Sequence, residues 1–70
     1  MVADAEFTGK ALADIRLTRG HTAKAVATEL GLTKESYSRW EHSTVLPRRV
    51  AFAMLHAMDR IEQRVGNGDY

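Results

Sequence analysis

The side chains best suited to recognising another molecule lie near the middle of this 70-residue chain. Lys34 and Arg39 carry hydrogen-bond donors, Glu35 carries acceptors, and the hydroxyls of Ser36 and Ser38 can act as either. Presented by a helix, such a set can bond to the edges of nucleic-acid bases, since Lys and Arg pair with guanine and Glu with cytosine. We therefore expect these five residues to contact bases, with a merely solvated helix face as the alternative.

A second group of residues suits the binding of phosphate. Arg48 and Arg49 follow Pro47, which opens a predicted helix, and two cations at the positive end of a helix are unfavourable unless an anion lies nearby. Helix-terminal amides together with two guanidinium groups make a strong anion site. We expect phosphate contacts from both arginines and from three residues near other helix ends, Thr22, Thr33 and His42.

The sequence contains no residue pattern typical of a catalytic site or a metal-binding site. The chain has three histidines and no cysteine, and no two histidines have the i,i+4 spacing of a helical metal site. No histidine accompanies a serine nucleophile, no carboxylates form a catalytic pair, and no glycine-rich loop could hold a phosphate. We expect no enzymatic activity, metal, cofactor or small-molecule substrate.

The net charge of +1 conceals an uneven distribution. Residues 16–49 contain seven Lys and Arg against three Glu, a net +4, whereas residues 1–15 carry −2 and residues 50–70 carry −1. A basic middle between acidic ends fits a polyanion bound on one face, although a solvated surface could have the same charges. The sequence lacks a long apolar run and the features of a signal peptide, so we expect a soluble, cytoplasmic protein.

The elements that must position these side chains are helices, because apolar residues recur at spacings of three and four and alternating strand patterns are absent. Thr8, Thr22 and Thr33 are predicted N-caps, and Gly20 and Gly31 are predicted helix ends. The expected fold is all-α, a compact bundle of four or five helices with an extended C-terminal helix. The predicted helices start at Thr8, span 23–30 and 34–42, and run from Pro47 to about Val65, in one domain of residues 1–65 with a flexible tail of residues 66–70.

Residues 22–42 meet the requirements of a helix-turn-helix motif. Ala27 is small enough for two helices to approach closely, and Gly31 tolerates the positive φ that the turn needs. The break between the two helices is too short for antiparallel packing, so the helices must cross steeply. Apolar residues bracket these points as the motif requires: Val26, Leu30, Leu32, Tyr37 and Trp40.

These features give the chain a resemblance to the lambda-repressor-like, or Cro/repressor-type, helix-turn-helix regulators, from about Leu12 to Met58. The resemblance implies a salt bridge between Arg16 and Glu41 that ties the first helix to the end of the recognition helix. It rests on that arginine and glutamate, on the turn glycines, and on a proline six residues beyond the glutamate, Pro47.

The chain departs from the family pattern at two positions. Ala23 stands where members often have a glutamine that contacts phosphate, which removes one expected DNA contact. Ser43 stands where glycine is common, which changes the loop after the recognition helix. The aromatic-x-x-Trp-Glu run of residues 37–41 also resembles that of small phage-borne autorepressors associated with anti-CRISPR operons.

The expected function is therefore sequence-specific binding of double-stranded DNA by a dimeric transcriptional repressor, with recognition helix 33–42 in the major groove. Dimers of such proteins bind inverted repeats whose half-sites lie about 34 Å apart. Two other functions fit the sequence: a protein-binding helical adaptor of the antitoxin or antirepressor type, and a non-specific architectural DNA binder. The expected dimer surface is formed by Met54, Met58, Ile61 and Val65, which could instead close the core of a single chain.

Overall fold

The computed structural model describes residues 7–68, and the side chains of residues 7–64. This part of the chain forms four α-helices and no strand, which confirms the all-α prediction and the extended C-terminal helix. None of the described helices is long and apolar enough to cross a membrane. The helices are α1 (Gly9–Thr18), α2 (Ala23–Leu30), α3 (Lys34–Glu41) and α4 (Arg48–Gly68).

Local hydrogen bonds explain where the first three helices begin. The hydroxyl oxygens of Thr8, Thr22 and Thr33 each accept a bond from the backbone N–H three residues later, at 3.0, 3.0 and 3.1 Å. All three are N-caps, as predicted, and each satisfies one of the donors that a helix start leaves unpaired. Gly20 and Gly31 adopt φ of 82° and 76° in the turns that follow α1 and α2.

The bounds of α4 differ from the prediction at both ends. Pro47 precedes the first helical residue, and its carbonyl accepts bonds from the N–H groups of Val50 and Ala51 at 3.0 Å. The helix continues to Gly68, three residues beyond the expected end at Val65, because no proline interrupts the ladder and propagation adds one bond per residue. The side chain of Val65 and those of the predicted tail, residues 66–70, lie outside the described residues.

The core joins all four helices, and α4 contributes most to it. Met54 and Met58 are 0% exposed within a single chain, which favours the alternative that they close the core over the expectation that they form a dimer surface. Both belong to the buried cluster, and α4 packs against α1 and α2. Nine residues make up the buried cluster: Leu12, Val26, Ala27, Tyr37, Leu46, Ala51, Met54, Ala57 and Met58.

The start of α1 lies directly against the end of α3. The N–H of Gly9 donates to the carbonyl of Ser43 at 2.8 Å, and the N–H of Leu46 donates to the carbonyl of Phe7 at 2.7 Å. A Cβ atom at position 9 would overlap the backbone of Trp40 and Glu41. Glycine is therefore required there by the close approach of two helices.

Candidate nucleic-acid interface

The turn between α2 and α3 has the geometry of a helix-turn-helix. Ala27 is 1% exposed at the contact of the two helices. Gly31 is in the left-handed conformation, its N–H donates to the carbonyl of Thr28 at 3.0 Å, and the N–H of Leu32 donates to the carbonyl of Ala27 at 2.9 Å. These two bonds close the end of α2 in the manner of a Schellman motif, which lets α3 start only three residues later.

The predicted base-contacting residues all lie on α3. Lys34 and Glu35 in its first turn and Arg39 in its last turn are exposed, whereas Ser36 and Ser38 are half-buried. Opposite them, Tyr37 is fully buried and contacts Trp40, with ring centroids 6.3 Å apart. The buried aromatic side of α3 fixes the helix on the core and leaves its polar side towards solvent.

The ion pair that the resemblance implied is present and nearly buried. The Nε of Arg16 donates to Oε2 of Glu41 at 2.6 Å, and its Nη2 donates to Oε1 at 3.1 Å. The hydrogen bonds to Glu41 raise the pKa of Arg16. The hydroxyl of Tyr37 lies beside this pair, is buried without a hydrogen-bond partner among the described residues, and has a raised pKa because of its burial.

The sequence pattern of the family described as Helix-turn-helix matches residues 12–60, which cover most of the chain and all of the geometry above. The chain belongs to this helix-turn-helix family. The match supports the resemblance to lambda-repressor and Cro-like proteins and makes the chain a DNA-binding transcription regulator of that type. No curated protein and no solved structure gave a significant match.

Two of the predicted phosphate-contacting residues of this helix-turn-helix protein have a second role. The hydroxyls of Thr22 and Thr33 accept bonds from backbone N–H groups as N-caps. A hydroxyl has one hydrogen to donate in addition to its acceptor sites, so capping leaves that hydrogen available to an anion. Arg48 and Arg49 are exposed in the first turn of α4.

His42 caps the C-terminal end of the recognition helix. Its Nδ1 lies 2.8 Å from the carbonyl oxygen of Ser38, and a carbonyl oxygen can only accept, so Nδ1 is the donor. Ser43 donates its hydroxyl to the carbonyl of Arg39 at 3.1 Å. The serine that replaces the common glycine thus satisfies a carbonyl at the helix end, and the Nε2 of His42 is not used in this cap.

The ion pairs of this helix-turn-helix protein separate its cations into two groups. Within the described residues, five lysines and arginines are paired with carboxylates: Lys10, Arg16, Arg19, Arg60 and Arg64. In the same part of the chain four have no ion pair, and all four lie on α2, α3 or the start of α4: Lys24, Lys34, Arg39 and Arg49. The lysines and arginines that lack an ion pair among the described residues therefore lie on or next to the helix-turn-helix, whereas those elsewhere are paired.

Two features of the site were not found from the sequence. Lys24 is exposed on the first turn of α2 beside Thr22, and its position next to a predicted phosphate contact could have indicated a role. Glu29, with 14% of its side chain exposed, accepts a bond from Nε of Arg60 at 2.8 Å and another from Arg64. These bonds lower the pKa of Glu29. Nothing local in the sequence indicates such pairs, because the partners are more than thirty positions apart.

Proposed function

We propose that this chain is a sequence-specific repressor that inserts α3 into the major groove of double-stranded DNA. The observation that carries the proposal is the distribution of ion pairs, which leaves Lys24, Lys34, Arg39 and Arg49 without carboxylate partners among the described residues. Phosphate would supply the missing negative charge. An apolar docking surface for a protein partner would gain nothing from these four cations.

Base recognition in this proposal comes from the exposed side of α3. Lys34 and Arg39 donate to guanine O6 and N7, and Glu35 accepts from cytosine N4. Ser36 and Ser38, which are half-buried, bond to bases that approach the helix closely. Each well-formed bidentate contact discriminates against the wrong base by about 1–3 kcal/mol.

Glu35 favours specific over merely electrostatic binding. It is the one carboxylate in the described part of the chain without an ion pair, and it lies on the helix that would meet DNA. A carboxylate there weakens attraction to phosphate at every sequence. A base contact would offset that loss, which favours a sequence-specific binder over the architectural binder.

Phosphate contacts in this proposal hold the protein in register on the duplex. They are made by Thr22 and Lys24 at the start of α2, by Thr33 and His42 at the two ends of α3, and by Arg48 and Arg49 at the start of α4. Lys24 takes over the phosphate contact that the alanine at position 23 cannot make. Such contacts orient the protein and carry no sequence information themselves.

We also propose that two chains bind an inverted repeat as a homodimer, because one small module buries little surface on DNA. With Met54 and Met58 in the core, the dimer surface is formed by the distal part of α4, around Ile61 and Val65. Ile61 is half-buried and lies at the edge of the core. Changing Ile61 to Asp should shift the mass measured by light scattering from dimer to monomer, whereas changing exposed Gln63 to Asp should not.

The regulated operon is proposed from the resemblance alone. The aromatic-x-x-Trp-Glu run of residues 37–41 resembles that of anti-CRISPR-associated autorepressors, which supports repression of a phage or mobile-element operon in the bacterial cytoplasm.

The protein-binding adaptor remains the second candidate function, since exposed Leu17 and Val45 are apolar side chains that a protein could cover. Neither the repressor nor the adaptor function includes a catalytic role.

Selection from a library of random DNA duplexes tests the function. The selected duplex and a scrambled duplex are each titrated with protein between 50 and 200 mM salt. We expect a strong preference for the selected duplex and a steep loss of affinity with salt, roughly 0.9 in log–log slope for each phosphate contacted. Failure to enrich any sequence, with no salt dependence of residual binding, would contradict the proposal and favour the adaptor.

A further inference from the structure

The carboxylate of Glu62 on α4 holds the turn that precedes the helix-turn-helix. It accepts bonds from Nε and Nη2 of Arg19 at 2.7 and 2.6 Å and from Nε2 of His21 at 2.6 Å. Asp59 accepts a further bond from Nη2 of Arg19 at 2.6 Å. Arg19 and His21 flank Gly20, whose φ of 82° makes it the sharpest point of the turn between α1 and α2.

The same turn is held from the opposite side by the ion pair of the helix-turn-helix. The Nη1 of Arg16 donates to the carbonyl oxygen of His21 at 2.9 Å, while the rest of its guanidinium binds Glu41 at the end of α3. The backbone of His21 is thus tied to the recognition helix, and its ring is tied to α4. Only 8% of the His21 side chain is exposed.

Few apolar side chains of α4 beyond Met58 pack on the core within the described residues. A cavity of about 460 Å³ opens between the turn and α4, lined by Gly20, Thr22, Ala25 and Ile61 together with the charged residues above. Beyond Met58, the described apolar contact of α4 with the core is through Ile61. Hydrogen bonds to Glu62 therefore carry much of the connection between the turn and the distal part of α4.

The pKa of Glu62 is consistent with its hydrogen bonds to Arg19 and His21. The bonds from Arg19 and His21 lower the pKa of Glu62 to about 2, so its carboxylate stays ionised at neutral pH. An ionised carboxylate can accept all of these bonds at once, whereas an amide of the same shape offers a single acceptor oxygen. Replacing Glu62 by Gln would keep its size and remove most of the hold on the turn.

We propose that Glu62 is a positioning residue for DNA recognition. By fixing the turn around His21, it orients the start of α2 and, through Arg16, the end of α3, whereas Glu29 holds the other end of α2 on α4. This inference rests on the proposed DNA-binding function and adds to it a residue on α4, far along the chain from the recognition helix. Loss of the contact would leave the helices folded and their base-reading side chains less well placed.

A change of charge alone and a loss of positioning would alter DNA binding by the Glu62→Gln variant in opposite directions. Replacing Glu62 by Gln removes a negative charge, and Coulomb attraction alone would then strengthen binding to any DNA. A positioning role predicts weaker binding to the selected duplex and a smaller preference over the scrambled duplex. Asp14→Asn is the matched control, because Asp14 is an exposed carboxylate whose bond to Lys10, at 3.3 Å, is not part of this network.

The experiment measures the affinities of wild type and both variants for the selected and the scrambled duplex. We expect Glu62→Gln to reduce the ratio of the two affinities about tenfold, the equivalent of one base contact. We expect Asp14→Asn to leave that ratio unchanged. Circular dichroism at the assay temperature checks that both variants remain helical.

The ratio separates positioning from simple loss of stability. A variant that only unfolds in part loses affinity for both duplexes by the same factor, so an unchanged ratio for Glu62→Gln contradicts the proposal. An equal or tighter binding of Glu62→Gln to both duplexes also contradicts it. Either result leaves the proposed function standing, because that function fails only if the wild-type protein shows no preferred DNA.

Discussion

Arg16 on α1 and Glu41 at the end of α3 form a two-bond ion pair, with 2.6 Å between Nε and Oε2 and 3.1 Å between Nη2 and Oε1. About a tenth of each side chain is exposed. The pair joins the first helix to the recognition helix, and the third guanidinium nitrogen reaches the turn before α2. Three elements of the DNA-binding unit are therefore fixed relative to one another by a single arginine.

Replacing Glu41 by Ala should destabilise the protein by about 3 kcal/mol, because it leaves a nearly buried guanidinium without its partner. Unfolding in urea measures the change. The matched control is Asp14→Ala, which removes the exposed partner of Lys10 and should cost about 0.5 kcal/mol or less. Equal losses for the two variants would mean that the ion pair contributes no more than a surface contact.

Replacing Gly9 by Ala should destabilise the protein by about 2 kcal/mol, although alanine is the better helix former. The added Cβ would overlap the backbone of Trp40 and Glu41, so α1 and α3 would have to move apart. Thermal unfolding measures this effect. Gly20→Ala is a useful comparison, since it meets no atom within 4 Å and should cost only the left-handed strain, about 1 kcal/mol. A Gly9→Ala protein as stable as the wild type would contradict the close approach of the two helices.

Stability should fall as the pH drops below about 4.5, with a contribution from Glu62. Its pKa is about 2 in the folded protein and near 4.5 in the unfolded chain. The unfolded chain therefore binds the proton first, and the stabilisation is present above pH 4.5 and lost as the pH falls towards 2. Unfolding followed between pH 6 and 2 should show a shallower decline for Glu62→Gln. Identical pH profiles would show that Arg19 and His21 do not hold the carboxylate in solution.

Replacing Lys24 by Ala should weaken binding to selected and scrambled duplexes alike. It should also reduce the slope of log affinity against log salt by about 0.9, because one phosphate contact is lost. Lys10→Ala is the matched control, since Lys10 is paired with Asp14 and lies on α1, away from the helix-turn-helix. If Lys24→Ala leaves the salt slope unchanged, Lys24 does not contact phosphate.

The features that could be predicted from the sequence depend on residues close together in the chain. Thr22 and Thr33 cap their helices through the third residue ahead, so a hydroxyl at the right spacing is a sufficient signal. Gly31 marks the turn because few other residues adopt its φ. Arg16 and Glu41 could be paired only through the resemblance, as they lie 25 positions apart.

The features that could not be predicted depend on how the helices meet. The spacing of Met54 and Met58 shows that they share a face of α4, but periodicity does not tell whether that face is covered by the same chain or by another. The requirement for glycine at position 9 comes from the backbone of α3. The bonds between Arg19 and Glu62 span 43 positions, and nothing in the local sequence distinguishes them from solvated surface charges.

The most direct test of DNA recognition by α3 is the ratio of affinities for a selected and a scrambled duplex, measured for the wild type and for Arg39→Ala. We expect the wild type to bind the selected duplex at least about a thousandfold more tightly. We expect Arg39→Ala to reduce this preference about tenfold or more, because a base contact is lost. Equal affinity of the wild-type protein for both duplexes would contradict sequence-specific recognition by this helix.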